Sequence, residues 1–348
     1  MIVGARVEVI NPDGIHLADV TPDSAKVSCN GANTEQFSGS LSFVGPDWYP
    51  NDDTDLLSPL TGNRVRLWWR EDGVETLLAT LQLNNPSGTA SPGVAWQIRL
   101  DDPLSRAKAN GYGPNLINVG GYAVDEALLE LFDVVDPSLQ VAFPASSTLL
   151  PAVYVLGTGQ VDTDWAALAA IDGSLVRSTR EGGATTVPAT RFGAPVADWQ
   201  EGPDCVVVKL GRDVNTEGIR NAVRVRSSSS AVVPVVESVR MDLDESSPTY
   251  VGGPLGVRWR NITSDVIATQ DAADTLAEET LAASLRPVES TKVTVPPRPD
   301  LNPGDAVVLG LADLGVAGIY QIQGWSLTLP KPGTKPAMME VTMADRSA

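Results

Sequence analysis

The sequence is poor in the residues that most often perform catalysis or bind cofactors. It contains one histidine, His16, and no serine or cysteine nucleophile motif accompanies it. No phosphate-binding G-x-x-x-x-G-K-[ST] stretch occurs. The GTGQVD stretch at 157–162 begins like a dinucleotide-binding fingerprint, but it lacks the third glycine and the context of an opening helix, which predicts a loop. We therefore expect no catalytic residue, no cofactor-binding residue and no cofactor, and we predict that the chain is not an enzyme.

Cysteine is also scarce. Cys29 and Cys205 lie far apart and match neither a disulfide framework nor a zinc-binding spacing, which indicates ordinary reduced thiols. One acidic cluster, with Asp242, Asp244 and Glu245, could offer oxygen ligands to calcium. It lacks the glycine and the ligand spacing of a calcium loop, so we predict a solvated turn and no metal site.

Long apolar runs are missing, and positive charge is scarce relative to negative charge. No window approaches the roughly 18 apolar residues of a membrane-spanning helix, and the N-terminal segment MIVGARVEVINPDG has no signal-peptide pattern. We expect a soluble, unexported protein that does not insert into membranes. The 43 Asp and Glu outnumber the 25 Lys and Arg, giving a net charge of −18. Such a surface repels nucleic acid and anionic lipid. Two alternative interpretations of the acidity are a wall past which DNA slides without binding and a role in solubility alone.

The first segment, 1–105, has the alternating pattern of β-strands. Turn-rich stretches at 45–55 and 84–93 separate these strands, which predicts a small antiparallel barrel or sandwich with long loops. The apolar residues that fall on one side of each strand are Phe37, Leu41 and Phe43 in FSGSLSF, Val65, Leu67 and Trp69 in VRLWW, and Trp96, Ile98 and Leu100 in AWQIRL.

The middle segment, 106–203, changes to a helical period and is predicted to be α+β. AVDEALLELFDVV has a broad apolar stripe, formed by Val124, Ala127, Leu128, Leu131, Phe132 and Val135. A second helix is predicted in DTDWAALAAIDG, with Asp162 or Thr163 as its cap and with Trp165, Leu168, Ala169 and Ile171 as its apolar positions. A hairpin with Gly182-Gly183 near its bend is expected to follow.

The last segment, 204–348, returns to strands and is predicted to form a second β-barrel crossed by a helix at 270–285. In this helix we expect Leu276 and Leu281 to be buried. A proline-rich segment follows, PPRPDLNPGD at 296–305, which we call the strap. Its prolines favour an extended path that ends in a Pro-Gly-Asp turn and delivers a strand to a fixed place. In the later strand GIYQIQGWSLTL the alternation shifts by one residue at Gly324, which predicts a β-bulge.

Three stretches together resemble a known family. They are DTDWAALAAIDGSLVRSTREGG, SPTYVGGPLGVRWRN and the run from QDAADTLAEETLAASL through the strap to GIYQIQGWSLTL. In their order they resemble the hub-type minor tail proteins of long-tailed bacteriophages, especially those that infect actinobacteria. The resemblance implies a mainly β fold in which two small β-barrel domains of the tail-tube type accompany the α+β middle domain.

The same resemblance implies a structural role in the virion. It implies a homotrimer that surrounds the DNA channel at the tail tip, as a baseplate hub made in the host cytoplasm. The implied partners are the distal tail protein ring, the C-terminus of the tape measure protein and a central tail fibre or spike. DNA would pass without specific binding, and we expect carboxylates to line the channel instead of residues such as Arg220, Arg224 and Arg226. The strap would present a barrel edge to a neighbouring subunit; it could also be a simple linker.

A different class of function also fits the composition. Trp48, Trp68 and Trp69 lie near acidic residues, and exposed aromatic rings stack on sugars, so a carbohydrate-binding or cell-wall-hydrolysing tail module is the alternative. With 43 acidic residues, two carboxylates could also lie at the separation that glycosidases use, so sugar hydrolysis is part of this alternative. Burial of these indoles in the core or at subunit interfaces is the competing interpretation.

Overall fold

The computed structural model describes residues 3–88, 91–113, 116–157, 159–189, 193–203, 205–215, 218–227, 235–264, 269–285, 288–329 and 337–345. Contacts group the chain into two units. One consists of Met1–Leu210 with Lys292–Ala348, and the other is Gly211–Thr291. The predicted boundaries at 105/106 and 203/204 stay a prediction. None of the described helices is long and apolar enough to cross a membrane.

Seven antiparallel strands open the chain and confirm the predicted alternation. All nine apolar residues named in the three predicted strands are buried. The predicted loop at 84–93 is partly wrong, because the strand β6 (Val74–Gly88) extends into it and pairs with β7 (Ala95–Asp101) across a register shift between Leu83 and Pro86. A short 3₁₀ helix, Pro59–Thr61, lies in a long loop. The strands are β1 (Val3–Ile10), β2 (His16–Val20), β3 (Ser24–Asn30), β4 (Phe37–Val44), β5 (Arg64–Glu71), β6 (Val74–Gly88) and β7 (Ala95–Asp101).

The middle of the chain is α+β, as predicted, and has its own hydrophobic cluster. All six predicted apolar positions of the first helix are buried. A β-hairpin closes this part, with Gly182 and Gly183 at its bend. The elements are α1 (Pro103–Asn110), β8 (Ile117–Asn118), α2 (Val124–Val135), β9 (Val155–Leu156), α3 (Val161–Ile171), β10 (Ser174–Ser178) and β11 (Ala184–Pro188).

Helix α3 corrects three details of the prediction. It begins at Val161, directly after the GTGQ stretch, so this stretch does open a helix. Gln160 occupies the N-cap position without a side-chain hydrogen bond, so neither Asp162 nor Thr163 is the cap. Ile171 is 43% exposed and not part of the apolar stripe, because the helix ends there.

The second unit, Gly211–Thr291, combines a three-stranded sheet with one helix. In this sheet the central strand β14 (Ala222–Ser227) pairs antiparallel with β15 (Glu237–Met241) and parallel with β16 (Trp259–Ser264). The helix packs on this sheet and begins at 270, as predicted. Its fully buried residues are Ala273 and Ala277, whereas Leu276 and Leu281 are only half-buried at the edge of the cluster. The elements are β14 (Ala222–Ser227), β15 (Glu237–Met241), β16 (Trp259–Ser264) and α4 (Gln270–Ser284).

The remaining strands join the N-terminal strands in one sheet. The second half of β19 pairs with β3, so that Trp325 lies opposite Cys29, and strands from both ends of the chain share one hydrophobic cluster. The register between β19 and β20 shifts between Ile322 and Gly324, which confirms the predicted bulge. These strands are β12 (Pro195–Gln200), β13 (Lys209–Asn215), β17 (Val288–Val295), β18 (Ala306–Leu311), β19 (Val316–Leu329) and β20 (Met339–Asp345).

The predicted mainly β fold is thus confirmed. Thirteen of the described strands form a sheet in the order β13-β17-β20-β19-β3-β4-β7-β6-β5-β1-β2, and β12 and β18 branch from β19. In the apolar stretch CVVVKLG at 205–211, strand β13 begins only at Lys209.

Candidate functional site: the strap and the exposed strand edges

The strap leads directly into strand β18, as its prolines predict. Its last turn is closed by the amide of Asn302, which donates to Asp305 Oδ2 at 2.8 Å. The amide of Gly304 donates to the carbonyl of Ile322 at 2.8 Å, and the amide of Ile322 donates to the carbonyl of Asp305 at 2.9 Å. These bonds attach the turn to β19. The strand that follows therefore starts at a fixed position.

A single arginine from the β10–β11 hairpin holds the middle of the strap. Arg180 donates to the carbonyls of Leu77, Pro299 and Leu301 and to Asn302 Oδ1; the last two distances are both 3.0 Å. Burial lowers the pKa of the Arg180 guanidinium, but its ordinary value is so high that the group stays charged. Carbonyl dipoles therefore compensate this buried charge, and they fix the strap to the hairpin.

The hairpin itself fits tightly against the rest of its unit. Arg177 donates to the carbonyls of Gly31 and Asn33 at 2.9 and 2.7 Å. A Cβ atom on Gly183 would lie 2.0 Å from the carbonyl oxygen of Gln140, so only glycine fits there. A polar cleft of about 390 Å³ remains between hairpin and strap.

A buried carboxylate joins the hairpin to the first strands. Asp102 accepts hydrogen bonds from the amides of Phe37 and Leu104, both at 3.0 Å, and from the side chain of Ser178. Burial raises the pKa of Asp102 to about 6, although these hydrogen bonds oppose the rise. The sequence analysis missed this residue. An Asp followed by Pro is a helix-start signal, and it would have marked Asp102 as the cap of α1.

Strand β12 leaves one open edge on this unit. Within the described residues it pairs only with β18, which is parallel to it. Beside it lies a cleft of about 210 Å³, lined by residues that include Trp199, Val206 and the strap residue Pro296. Val206 is 39% exposed. An open edge next to exposed apolar side chains is the kind of surface to which another chain can add a strand.

Strand β2 leaves a second open edge, because within the described chain it pairs only with β1. His16 lies at its start, with Nε2 3.4 Å from Asp19 Oδ1, and Arg6 donates to the same oxygen at 2.9 Å. His16 is therefore a member of a surface ion cluster.

The two cysteines are free thiols in different surroundings. Cys29 is buried in β3, and burial raises the pKa of its thiol to about 12, so it stays protonated and a poor nucleophile. Cys205 is half-buried and donates weakly to the carbonyl of Val207.

The acidic cluster forms a hydrogen-bonded turn. Asp242 accepts from the hydroxyls of Ser247 and Thr249, both at 2.6 Å, and Asp244 accepts from the amide and the hydroxyl of Ser246. These bonds lower the pKa of both carboxyls. The described residues contain no group of three or more His, Cys, Asp or Glu side chains placed to hold a metal ion.

The three tryptophans of the sugar-binding alternative do not form one platform. Trp69 is in the core, and the indole of Trp68 donates to Glu8 Oε2 at 3.0 Å. Only Trp48 is well exposed, at 42%.

The three arginines also differ from one another. Arg224 forms a two-bond ion pair with Glu237, at 2.9 and 3.0 Å, and Arg226 is exposed on the same face of the second unit's sheet. Arg220 donates to the carbonyl of Ile219. Sequence reasoning missed Trp259, which the strand register places beside Ala222 on the same face, because a lone tryptophan at a strand start carries no distinguishing pattern.

Comparison with known proteins gives a fold relationship. No family model matches the sequence, and no curated protein matches it. Three solved structures are similar over most of both chains. A tail protein from Neisseria meningitidis MC58 has 14% identity and a TM-score of 0.68, covering 99% of this chain and 97% of its own. The 43 kDa tail protein of prophage MuSo2 from Shewanella oneidensis has 11% identity and a TM-score of 0.64, with 98% of each chain covered.

The third structure is the prophage tail protein gp18 from Listeria monocytogenes EGD-e, with 14% identity and a TM-score of 0.51, covering 98% of this chain and 94% of that one. At 11–14% sequence identity, these three matches establish similarity of fold and no more. The chain therefore has, along nearly its whole length, the fold of bacteriophage tail proteins.

Proposed function

We propose that this chain is a structural protein of a phage tail and forms the tail-tip, or baseplate, hub. In that place it connects the tail tube or distal tail ring to the central fibre or spike. The observation that carries the proposal is the extent of the fold match, which covers 98–99% of this chain and 97–98% of the Neisseria and Shewanella tail proteins. A match confined to one part of the fold would fit many functions, because common folds host many unrelated roles. The match of the complete arrangement supports the tail-protein proposal by analogy of fold.

We infer that three copies form a ring by head-to-tail contacts. The open edges of β2 and β12 are different surfaces, and contacts between unlike surfaces generate a ring when the rotation between copies closes. The strap, held by Arg180, fixes β18, and β18 is the only described strand that pairs with β12. The strap would thus set the position of the edge that a neighbouring subunit meets.

The channel of this ring would pass DNA without binding it. The net charge of −18 supports a wall with more carboxylates than Lys and Arg, which repels phosphates. The further partners proposed are the distal tail ring, the C-terminus of the tape measure protein and the fibre or spike.

We also propose that the chain is not an enzyme. The residues that could have served catalysis have other roles: His16 belongs to a surface ion cluster, Cys29 is a buried thiol, and the carboxylates of Asp242 and Asp244 are held by their own turn. The role is therefore one of assembly.

Sedimentation of the purified chain at increasing concentration tests the ring contact. We expect a trimer, and we expect Val206→Asp to weaken it because a charge is placed in the cleft beside the β12 edge. Val153→Asp is the matched control, since Val153 is also exposed, at 81%, but lies in the middle segment. Equal loss of trimer in both variants, or no trimer in the unaltered chain, would contradict the proposed contact.

A further inference from the structure

The sheet of the second unit has one covered face and one open face. Side chains alternate along each strand, so neighbouring residues point to opposite faces. Val223, Val225 and Ile262 pack toward α4, and Arg240 on the same face pairs with Glu278 of that helix. The residues between them point away from the helix.

The open face presents a tryptophan beside a row of polar side chains. Strand register places Trp259 next to Ala222, Asn261 next to Arg224, and Thr263 next to Arg226. Trp259 is 44% exposed, and Asn261, Thr263 and both arginines are exposed. From the Trp259 row to the Thr263 row the face is about 13 Å long at ~3.3 Å per residue.

Several exposed side chains on this face carry hydrogen-bonding or charged groups that a ligand could contact. Among the described residues, no hydrogen bond engages the Trp259 indole N–H or the Asn261 amide, and Arg226 lies opposite Glu237, whose pKa its charge helps to lower without a close ion pair. Arg224 and Glu237 neutralise each other, so Arg226 leaves this face with an excess positive charge on a chain of net charge −18. Its charge thus differs in sign from that of the chain as a whole.

We propose that this face binds an acidic polysaccharide. The apolar face of a sugar ring packs on the Trp259 indole, and the amide, hydroxyl and guanidinium groups of the next two rows meet the sugar hydroxyls. Arg226 pairs with a carboxylate of the same sugar chain. This site lies in the other unit from Trp48, Trp68 and Trp69. It goes beyond the proposed assembly role and does not depend on ring formation.

Two other occupants fit the face less well. Nucleic acid could stack on Trp259, but proteins that bind single strands stack successive bases on several aromatic rings, and the described residues of this face present one. A protein partner needs a more apolar centre; among the described residues of this face, only Trp259 and Val239 are large, apolar and well exposed.

Affinity electrophoresis of the full chain in gels containing polygalacturonate tests the proposal, with neutral galactan and single-stranded oligo-dT as the other probes. We expect retardation by polygalacturonate that weakens with salt. Trp259→Ala should weaken binding about tenfold, and Arg226→Gln about threefold, on the scale where 1.4 kcal/mol is a factor of ten. Trp48→Ala is the matched control and should bind as the unaltered chain does.

The melting temperature of each variant shows whether it is folded. Tighter binding to oligo-dT than to either polysaccharide would overturn the proposal, as would equal loss in Trp48→Ala and Trp259→Ala. Binding of neither polysaccharide by the unaltered chain would also overturn it, whether or not the chain forms trimers. If Trp259→Ala abolished self-association and left sugar retardation unchanged, the face would be a protein interface.

Discussion

Replacement of Arg180 by methionine tests whether the strap is held as the structure indicates. Methionine keeps much of the aliphatic volume of the side chain but removes every hydrogen-bond donor of the guanidinium. The carbonyl of Leu301 and the side-chain oxygen of Asn302, each 3.0 Å from the guanidinium, lose their donor.

The expected loss of stability follows from these bonds. Hydrogen bonds to a charged group contribute about 1.5–3 kcal/mol each, and the desolvation cost of the buried guanidinium, which disappears in the variant, offsets part of this. We therefore expect Arg180→Met to lower the free energy of unfolding by roughly 2–4 kcal/mol. Arg180→Lys should lose about half as much, because lysine keeps the charge but not the forked geometry.

Urea denaturation measures the global loss, and hydrogen exchange at the amides of Gly304 and Ile322 reports on the strap turn itself. The control is Arg99→Met, since Arg99 is 73% exposed and its ion pair with Asp101 should contribute less than about 1 kcal/mol. If Arg180→Met lost no more stability than Arg99→Met and both amides kept their protection, Arg180 would not hold the strap.

Three further predictions concern other parts of the chain. The folded pKa of Asp102, about 6, lies above the ordinary 3.8, so its contribution to stability is full below 3.8 and is lost as pH rises through 6. Between pH 7.5 and pH 5 the unaltered chain should gain about 1.4 kcal/mol relative to Asp102→Asn in urea denaturation; parallel pH profiles would contradict this. Gly183→Ala should lower the melting temperature by several degrees, because its Cβ would lie 2.0 Å from the Gln140 carbonyl oxygen. Leu276→Ala and Leu281→Ala should each cost only about 1 kcal/mol, since both side chains are half-buried; losses above about 3 kcal/mol would show that they are fully buried.

Local sequence patterns predicted helices and strands well where the buried residues recur at one regular spacing. The stripe of α2 and the strand positions around Leu41, Leu67 and Ile98 are buried as expected. The bulge at Gly324 was also predictable, because a shift in alternation at a glycine has few other causes.

Sequence reasoning failed where the outcome depends on distant segments. The pairing of β3 with β19 joins residues nearly 300 positions apart, and no local pattern specifies it. Leu276 and Leu281 fit the helical period, but the three-stranded sheet is small and covers mainly Ala273 and Ala277. Arg180 and Trp259 were missed for the same reason, since their surroundings exist only in the folded chain.

The most direct test of the central claim is electron cryomicroscopy of the assembled ring. We expect three copies around one axis, with the large sheet of the first unit facing a channel where Asp and Glu outnumber Lys and Arg. That result would agree with a net charge of −18 and with DNA that passes without binding. A channel lined mostly by arginines such as Arg220, Arg224 and Arg226, or a chain that forms no ring at all, would contradict the account.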